Sequence, residues 1–287
     1  MTTEQAYNDF LDKIGQLYER REAANIADWI FENVTGFKKL ERRLYKNVEM
    51  DERAEKQVEN YIHGLLQYRP VQYLLQEAWF YKMKFFVNED VLIPRPETEE
   101  LVSWIIGDVP GATFDVRCNE LQLLDIGTGS GCIAISLKKE LPDSHITAID
   151  ISEEALSVAK KNADALQTQI NFLQINFLDE SLWNSLGMYD VIVSNPPYIP
   201  ENEKEKLEAN VTAFEPGIAL FVKNNNPFIF YEKIAKFAQS HLNKGGKIFV
   251  EINEDYSCEV KQIFNEYNFK TEIKEDIYGK KRMIKVM

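Results

Sequence analysis

Five consecutive residues, Ser194-Asn195-Pro196-Pro197-Tyr198, follow the apolar run Asp190-Val191-Ile192-Val193 and so stand where a buried strand ends. Proline fixes its own φ and pushes the preceding residue out of the helical region. Pro196 and Pro197 therefore hold Asn195 and Pro196 extended, with both carbonyl groups free of helix hydrogen bonds. The amide oxygen of Asn195 and the backbone oxygen of Pro196 become two neighbouring acceptors, and the ring of Tyr198 can cover a flat group beside them. A planar NH2 suits such a pair. Accepting both of its N–H bonds orients the nitrogen and leaves its face open to an electrophile. An isolated Pro-Pro equally well ends a strand and starts a loop, so the surroundings decide.

A second constellation lies upstream in Asp125-Ile126-Gly127-Thr128-Gly129-Ser130-Gly131-Cys132. It is not the dinucleotide fingerprint, which needs its third glycine where Cys132 stands. Evenly spaced glycines after an acidic residue instead resemble the first motif of S-adenosylmethionine-dependent methyltransferases, in which a loop without side chains lets backbone approach the methionine part of the cofactor. Asp150 stands about 20 residues further on, at the end of the next apolar run, where a carboxylate can accept from both ribose hydroxyls. The following run ends in Gln174-Ile175-Asn176-Phe177, where adenine should lie. Asn176 can reach its edge. For Phe177, spacing alone leaves ring coverage and core packing both open.

These residues need a scaffold, and the pattern from Leu121 onward supplies one. Short apolar runs at 121–124, 146–149, 170–173, 191–193 and 248–252 alternate with helical stretches such as 152–167 and 226–242, which predicts parallel strands with crossover helices on both faces. The end of the chain, 269–273 and 282–287, reads as two strands joined by a turn. Before Pro70 the apolar residues recur three and four apart, predicting a small all-helical domain over 1–75 with a capping box at Thr2 and Gln5. Within it, Lys38 or Lys39, Arg42 and Lys46 fall on one helical face; a solvated face is the ordinary reading and a docking surface the functional one. Residues 76–92, rich in aromatics, read as a β-hairpin linker to a domain spanning 93–287. The prolines of Ile93-Pro94-Arg95-Pro96-Glu97-Thr98-Glu99 impose an extended path before a helix near Thr98, either as a stiff linker or as a rim over a site.

The 287 residues carry a net charge of −13, which works against sequence-independent binding to phosphate backbones, so no direct DNA binding is expected. No apolar run is long enough to span a membrane, and the first residues lack the pattern of a signal peptide, so a cytoplasmic location is expected. Cys118, Cys132 and Cys258 are widely separated and make no metal-binding spacing with His63, His145 or His241; neither a disulfide nor a metal is expected.

Asp125 to Gly131, Asp150 and Asn195-Pro196-Pro197-Tyr198, with Pro70-Val71-Gln72-Tyr73-Leu74, the 93–99 stretch, Phe214-Glu215-Pro216 and Tyr278-Gly279-Lys280-Lys281-Arg282, together resemble the PrmC/HemK family. These enzymes methylate the glutamine of the GGQ motif in peptide chain release factors. Asn-Pro-Pro-Tyr alone is shared with methyltransferases acting on DNA and RNA bases; the 93–99 stretch followed by Phe-Glu-Pro is far more selective. The resemblance implies an α/β fold: a Rossmann-like class I methyltransferase sheet with a C-terminal antiparallel strand pair, preceded by the small all-α domain and the hairpin linker. It implies S-adenosyl-L-methionine held by Gly127, Thr128, Gly129, Ser130, Gly131, Asp150, Asn176, Phe177 and Asn195, with S-adenosyl-L-homocysteine as product. It also implies a substrate glutamine on Asn195, Pro196, Pro197 and Tyr198, with Asn195 and Pro196 catalytic, and a release factor partner gripped by the helical domain of a monomer. The family commonly has an acidic residue where Asn176 stands. The alternatives are a methyltransferase for an exocyclic amine of adenine or guanine, which calls for a basic cleft, and a non-catalytic adaptor, which calls for damage at Asn195 to Tyr198.

Overall fold

The computed structural model describes residues 1–109 and 121–287. In chain order its first half contains α1 (Thr3–Ile14), α2 (Arg20–Thr35), α3 (Lys39–Leu44), α4 (Glu52–Leu66), α5 (Val71–Leu75), β1 (Ala78–Phe80), β2 (Met83–Phe85), α6 (Pro96–Asp108), β3 (Gln122–Ile126), α7 (Cys132–Glu140) and β4 (His145–Asp150). Then come α8 (Glu153–Ala165), β5 (Asn171–Gln174), β6 (Tyr189–Ser194), β7 (Ile199–Pro200), α9 (Ala209–Phe214), α10 (Gly217–Leu220), β8 (Phe221–Val222), α11 (Ile229–His241), β9 (Leu242–Glu251), α12 (Ser257–Glu266), β10 (Thr271–Glu275) and β11 (Lys281–Val286). Two compact units result: Met1–Gln76 with Ala209–Phe214, and Glu77–Glu208 with Glu215–Met287.

The smaller unit is helical for the reason its periodicity gives. Phe10 and Ile14 of α1, Ile26, Ile30 and Phe31 of α2, and Val58, Ile62 and Leu65 of α4 share one buried cluster. Each such side chain stabilises the fold by about 1.5–3 kcal/mol on burial. Thr2 caps α1 by accepting from the Gln5 amide while Gln5 answers to the Thr2 amide. Gly36 closes α2 at φ 73°, a conformation glycine takes without penalty. The basic run departs from the solvated face its spacing suggests. Arg42 is buried, with its guanidinium 3.7 Å from the centre of the Tyr7 ring and a 2.6 Å ion pair to Asp28. Burial pushes the Asp28 carboxyl up, but bonds from Lys39, Arg42 and Tyr7 hold it below its ordinary value. Helix α3 is also shorter than the run, leaving Lys38 and Lys46 outside it.

In the larger unit seven strands lie in the order β10-β11-β9-β6-β3-β4-β5. The five from β9 to β5 are parallel, and β11 runs antiparallel to both β9 and β10. Alternation divides the strands between two cores: Leu124, Ile126, Ile192, Ile248 and Val250 on one face, and Leu123, Val191, Val193 and Phe249 on the other. Burial on both faces explains why these runs read as continuously apolar. Strand order reverses at β3, whose neighbours β4 and β6 continue in opposite directions, and crevices at such switch points open beyond the carboxyl ends of the strands. The hairpin expected as a linker is counted within the larger unit and is shorter than its aromatic stretch: β1 and β2 are three residues each, joined through Tyr81 and Lys82 at φ 48° and 61°. Helix α6 begins at Pro96 rather than Thr98, the first-turn position where a missing N–H costs nothing. The elements between β7 and β8 have no counterpart in the sequence reading. Cys132 is buried and Cys258 exposed, both unbridged, while Cys118 lies outside the described residues. Among the described residues no helix is long and apolar enough to cross a membrane.

Candidate active site

Ile126 and Ser194 are register partners on the adjacent parallel strands β3 and β6, so the glycine loop and the Asn-Pro-Pro-Tyr turn leave the sheet side by side. The loop is drawn onto β4 by its backbone: the amides of Gly127 and Thr128 both donate to Ile149 O, at 2.9 and 3.0 Å. Gly127 and Gly129 sit at φ 73° and 53°, and a Cβ on either would meet nothing within 4 Å, so their missing side chains leave open space above the loop. Gly131 serves packing instead; a Cβ there would stand 3.2 Å from the Ala159 Cβ and 3.1 Å from Ile135.

A cleft opens at this point. Its wall includes Ile126, Gly127, Gly129, Asp150, Ile175, Asn176, Phe177, Asn195 and Pro197. Leu92, Ile218 and Phe230, for which the sequence suggested no role, also line it. Of the expected cofactor residues, Thr128, Ser130 and Gly131 are not on the wall. The Thr128 hydroxyl donates to Asp125 at 2.7 Å, and Ser130 O accepts from the buried Asn162 Nδ2 at 2.9 Å. Asn162 also exchanges two hydrogen bonds with the Phe86 backbone, tying the segment after the hairpin to the loop.

Asp150 presents its carboxylate at the end of β4. Oδ2 accepts from Gly129 N at 2.9 Å and Oδ1 from Ser152 N at 3.0 Å, so each oxygen keeps lone-pair capacity for a ligand. Burial pushes this carboxyl up, and the backbone amides of Ser152 and Gly129 offset part of the shift. Phe177 stacks on Trp183 at 5.5 Å and 28° within the core, as the packing reading expects, and it also contributes to the cleft wall. The Asn176 Oδ1 accepts from Leu178 N at 3.1 Å, an Asx-type turn that holds the amide at the cleft edge.

Of the four residues of the turn, Asn195 and Pro197 line the cleft, while Pro196 is buried. The Tyr198 hydroxyl donates to Glu251 Oε1 at 3.2 Å, and Tyr198 is not on the cleft wall. Asn195 Nδ2 donates to Thr98 Oγ1 at 3.2 Å. The rim is tied down by charge: Arg95 Nη2 donates to Glu215 Oε1 at 2.5 Å, and Ile93 N donates to Glu215 Oε2 at 3.3 Å. The stretch from 93 to 99 and the Phe-Glu-Pro segment, far apart in sequence, thus form one joined feature through a buried carboxylate.

Asp125 is fully buried, and its Oδ1 has no partner. Burial pushes the carboxyl up to about 7, against the Thr128 hydrogen bond and with help from the Asp150 charge. A carboxyl raised on folding contributes stability that is fully present below its unfolded value of about 4 and is lost as pH rises through 7. Asp125→Asn, neutral throughout, should therefore gain on the native protein by up to about 1.4 kcal/mol per pH unit between pH 5 and 7, levelling off by pH 8. Denaturant unfolding across that range checks this; parallel pH profiles for the two proteins would remove Asp125 from the account.

Sheet order, glycine loop and terminal carboxylate define the Rossmann-like methyltransferase class. A methyltransferase from Pyrococcus furiosus shares the fold, with a TM-score of 0.50 and 18% identity over 79% of this chain and 96% of its own. A family model described as the PrmC N-terminal domain matches residues 7–75, and one described as the methyltransferase small domain matches residues 112–215. The release factor glutamine methyltransferase of Flavobacterium psychrophilum is 40% identical, covering 96% of each chain. That of Bacteroides thetaiotaomicron is also 40% identical, over 93% of this chain and 94% of its own. The chain belongs to the release factor glutamine methyltransferase family.

Proposed function

We propose that the protein transfers a methyl group from S-adenosyl-L-methionine to the side-chain amide nitrogen of the glutamine in the Gly-Gly-Gln motif of peptide chain release factors, and so supports translation termination. One observation carries this: the glycine loop, Asp150 and Asn195 line a single cleft in a chain 40% identical, nearly end to end, to release factor glutamine methyltransferases. The residues fit the cofactor. Asp150 has capacity for ribose hydroxyls, Ile175 and Phe177 offer an apolar slot for adenine, and Gly127 and Gly129 leave backbone free for the methionine part. When bound, S-adenosylmethionine supplies a methyl group on a sulfonium and departs as S-adenosylhomocysteine.

The protein's task is alignment, because an amide nitrogen is a poor nucleophile with its lone pair delocalised into the carbonyl. Asn195 Oδ1 and the Pro196 carbonyl accept the two N–H bonds of the glutamine and fix the nitrogen, positioning that can be worth about 7 kcal/mol or more. The same oxygens stabilise positive charge as it grows on that nitrogen. Once methylated, the nitrogen is strongly acidic and passes a proton through either acceptor to water, so no histidine is required.

The helical domain over 1–75 serves as a second grip on the factor, and the protein acts in the cytoplasm as a monomer without binding DNA directly. Gripping the factor at two places raises the effective concentration of its glutamine loop at the cleft. A short Gly-Gly-Gln peptide should accordingly be a much poorer substrate than the whole factor in steady-state assays. Deleting the residues before Pro70 should narrow that gap. Equal kcat/KM for peptide and factor with the full-length protein would contradict two-point binding.

A further inference from the structure

We infer that Glu251, acting through Thr98, is a positioning residue that fixes which end of the Asn195 amide faces the cleft. Asn195 and Glu251 stand at the carboxyl ends of the adjacent parallel strands β6 and β9, whose last register pair is Ser194 with Val250. Thr98 reaches between them from the first turn of α6. The Thr98 hydroxyl donates to Glu251 Oε2 at 2.7 Å and accepts from Asn195 Nδ2 at 3.2 Å. Glu251 is 3% exposed; its other oxygen accepts from the Tyr198 hydroxyl, and its backbone carbonyl accepts from the buried Tyr231 hydroxyl at 3.0 Å.

The chain of donors has one sense. Burial pushes the Glu251 carboxyl up, while the hydrogen bonds from Thr98 and Tyr198 and the Arg282 charge favour the carboxylate. A carboxylate only accepts, so the single proton of the Thr98 hydroxyl goes to Glu251 and the oxygen's lone pairs are left to meet Asn195. Only Nδ2 of the amide can donate to them. Oδ1, at the other end of the same planar group, is then what Asn195 offers to the cleft it lines. Without the relay an asparagine presents either end, and an NH2 turned toward the cleft would face the substrate's own N–H bonds with no acceptor. The inference rests on the glutamine reading of the cleft, since that reading makes Oδ1 the working atom.

Thr98→Val keeps the shape of the side chain and removes the link. It should lower kcat on release factor about ten- to a hundredfold, as small misplacements at reacting centres do, with cofactor affinity unchanged. Thr98→Ser, which restores the hydroxyl, should recover most of the loss. In an Asn195→Ala background Thr98→Val should cost nothing further in single-turnover rate, because its effect passes through the amide. An equal loss in both backgrounds would overturn the inference. A second measurement stands apart from any acceptor: the Asn195 side-chain NH2 resonance of the cofactor-free protein, assigned by its loss in Asn195→Ala. One proton should exchange slowly in the unaltered protein, lose that protection in Thr98→Val and regain it in Thr98→Ser. Protection unchanged in Thr98→Val would defeat the relay even if release factor methylation itself stands.

Discussion

Asn195→Ala should lower turnover about a hundred- to a thousandfold, the cost of removing one preorganised hydrogen bond at a reacting centre in other enzymes. The substituted protein should stay folded, because Asn195 is half-buried and Thr98 Oγ1, which its amide meets, keeps its bond to Glu251. What the proposed mechanism loses is the acceptor for one N–H of the substrate amide, which leaves the nitrogen free to rotate. Cofactor affinity should fall far less than rate, since the glycine loop and Asp150 are untouched. Steady-state assays with release factor, beside calorimetry with the cofactor, separate the two effects. Near-normal turnover would deny the turn its catalytic role.

Asp150→Ala should weaken S-adenosylmethionine binding about ten- to a hundredfold, the equivalent of the 1.5–3 kcal/mol typical of a hydrogen bond to a charged group. Here the carboxylate has two duties, and both disappear with it. In the proposed complex its free lone pairs take the ribose hydroxyls; Oδ2 also holds the amide of Gly129, so the glycine loop loses an anchor. Calorimetry reads the dissociation constant directly, and near-ultraviolet circular dichroism checks the fold. Native affinity in a folded variant would place the ribose elsewhere.

Those two residues were legible in the sequence as candidates because each stands at the end of an apolar run, and both line the one cleft. Glu251 carries a related signal, a carboxylate within the apolar run 248–252, but nothing in one dimension pairs it with Thr98. The partnership exists only because β9 lies beside β6, a neighbour relation that sheet order sets and local pattern does not. Asn162 escaped for the same reason: on α8 it looks like one more polar helix residue, yet it is buried and binds both Phe86 and Ser130.

The opposite error occurred at Arg42. Charge patterning treats a basic residue as solvated, whereas here Tyr7, Phe31 and Asp28 converge to supply a ring face and a counter-charge that make burial tolerable. Strand existence was most legible in the central strands β3, β6 and β9, where burial on both faces leaves apolar runs; the edge strands β5 and β10 are only half-buried or exposed. The hairpin was legible as a hairpin but not in length, since aromatic content reports burial and Trp79, 56% exposed, lends its ring to solvent.

The most direct test of the account is to incubate the protein with S-adenosylmethionine and, in separate reactions, release factor, duplex DNA and transfer RNA, then locate the methyl group by tandem mass spectrometry. The account predicts one methyl on the side-chain nitrogen of the Gly-Gly-Gln glutamine and none on either nucleic acid. A methyl on an exocyclic amine of adenine or guanine, with that glutamine unmodified, would contradict it.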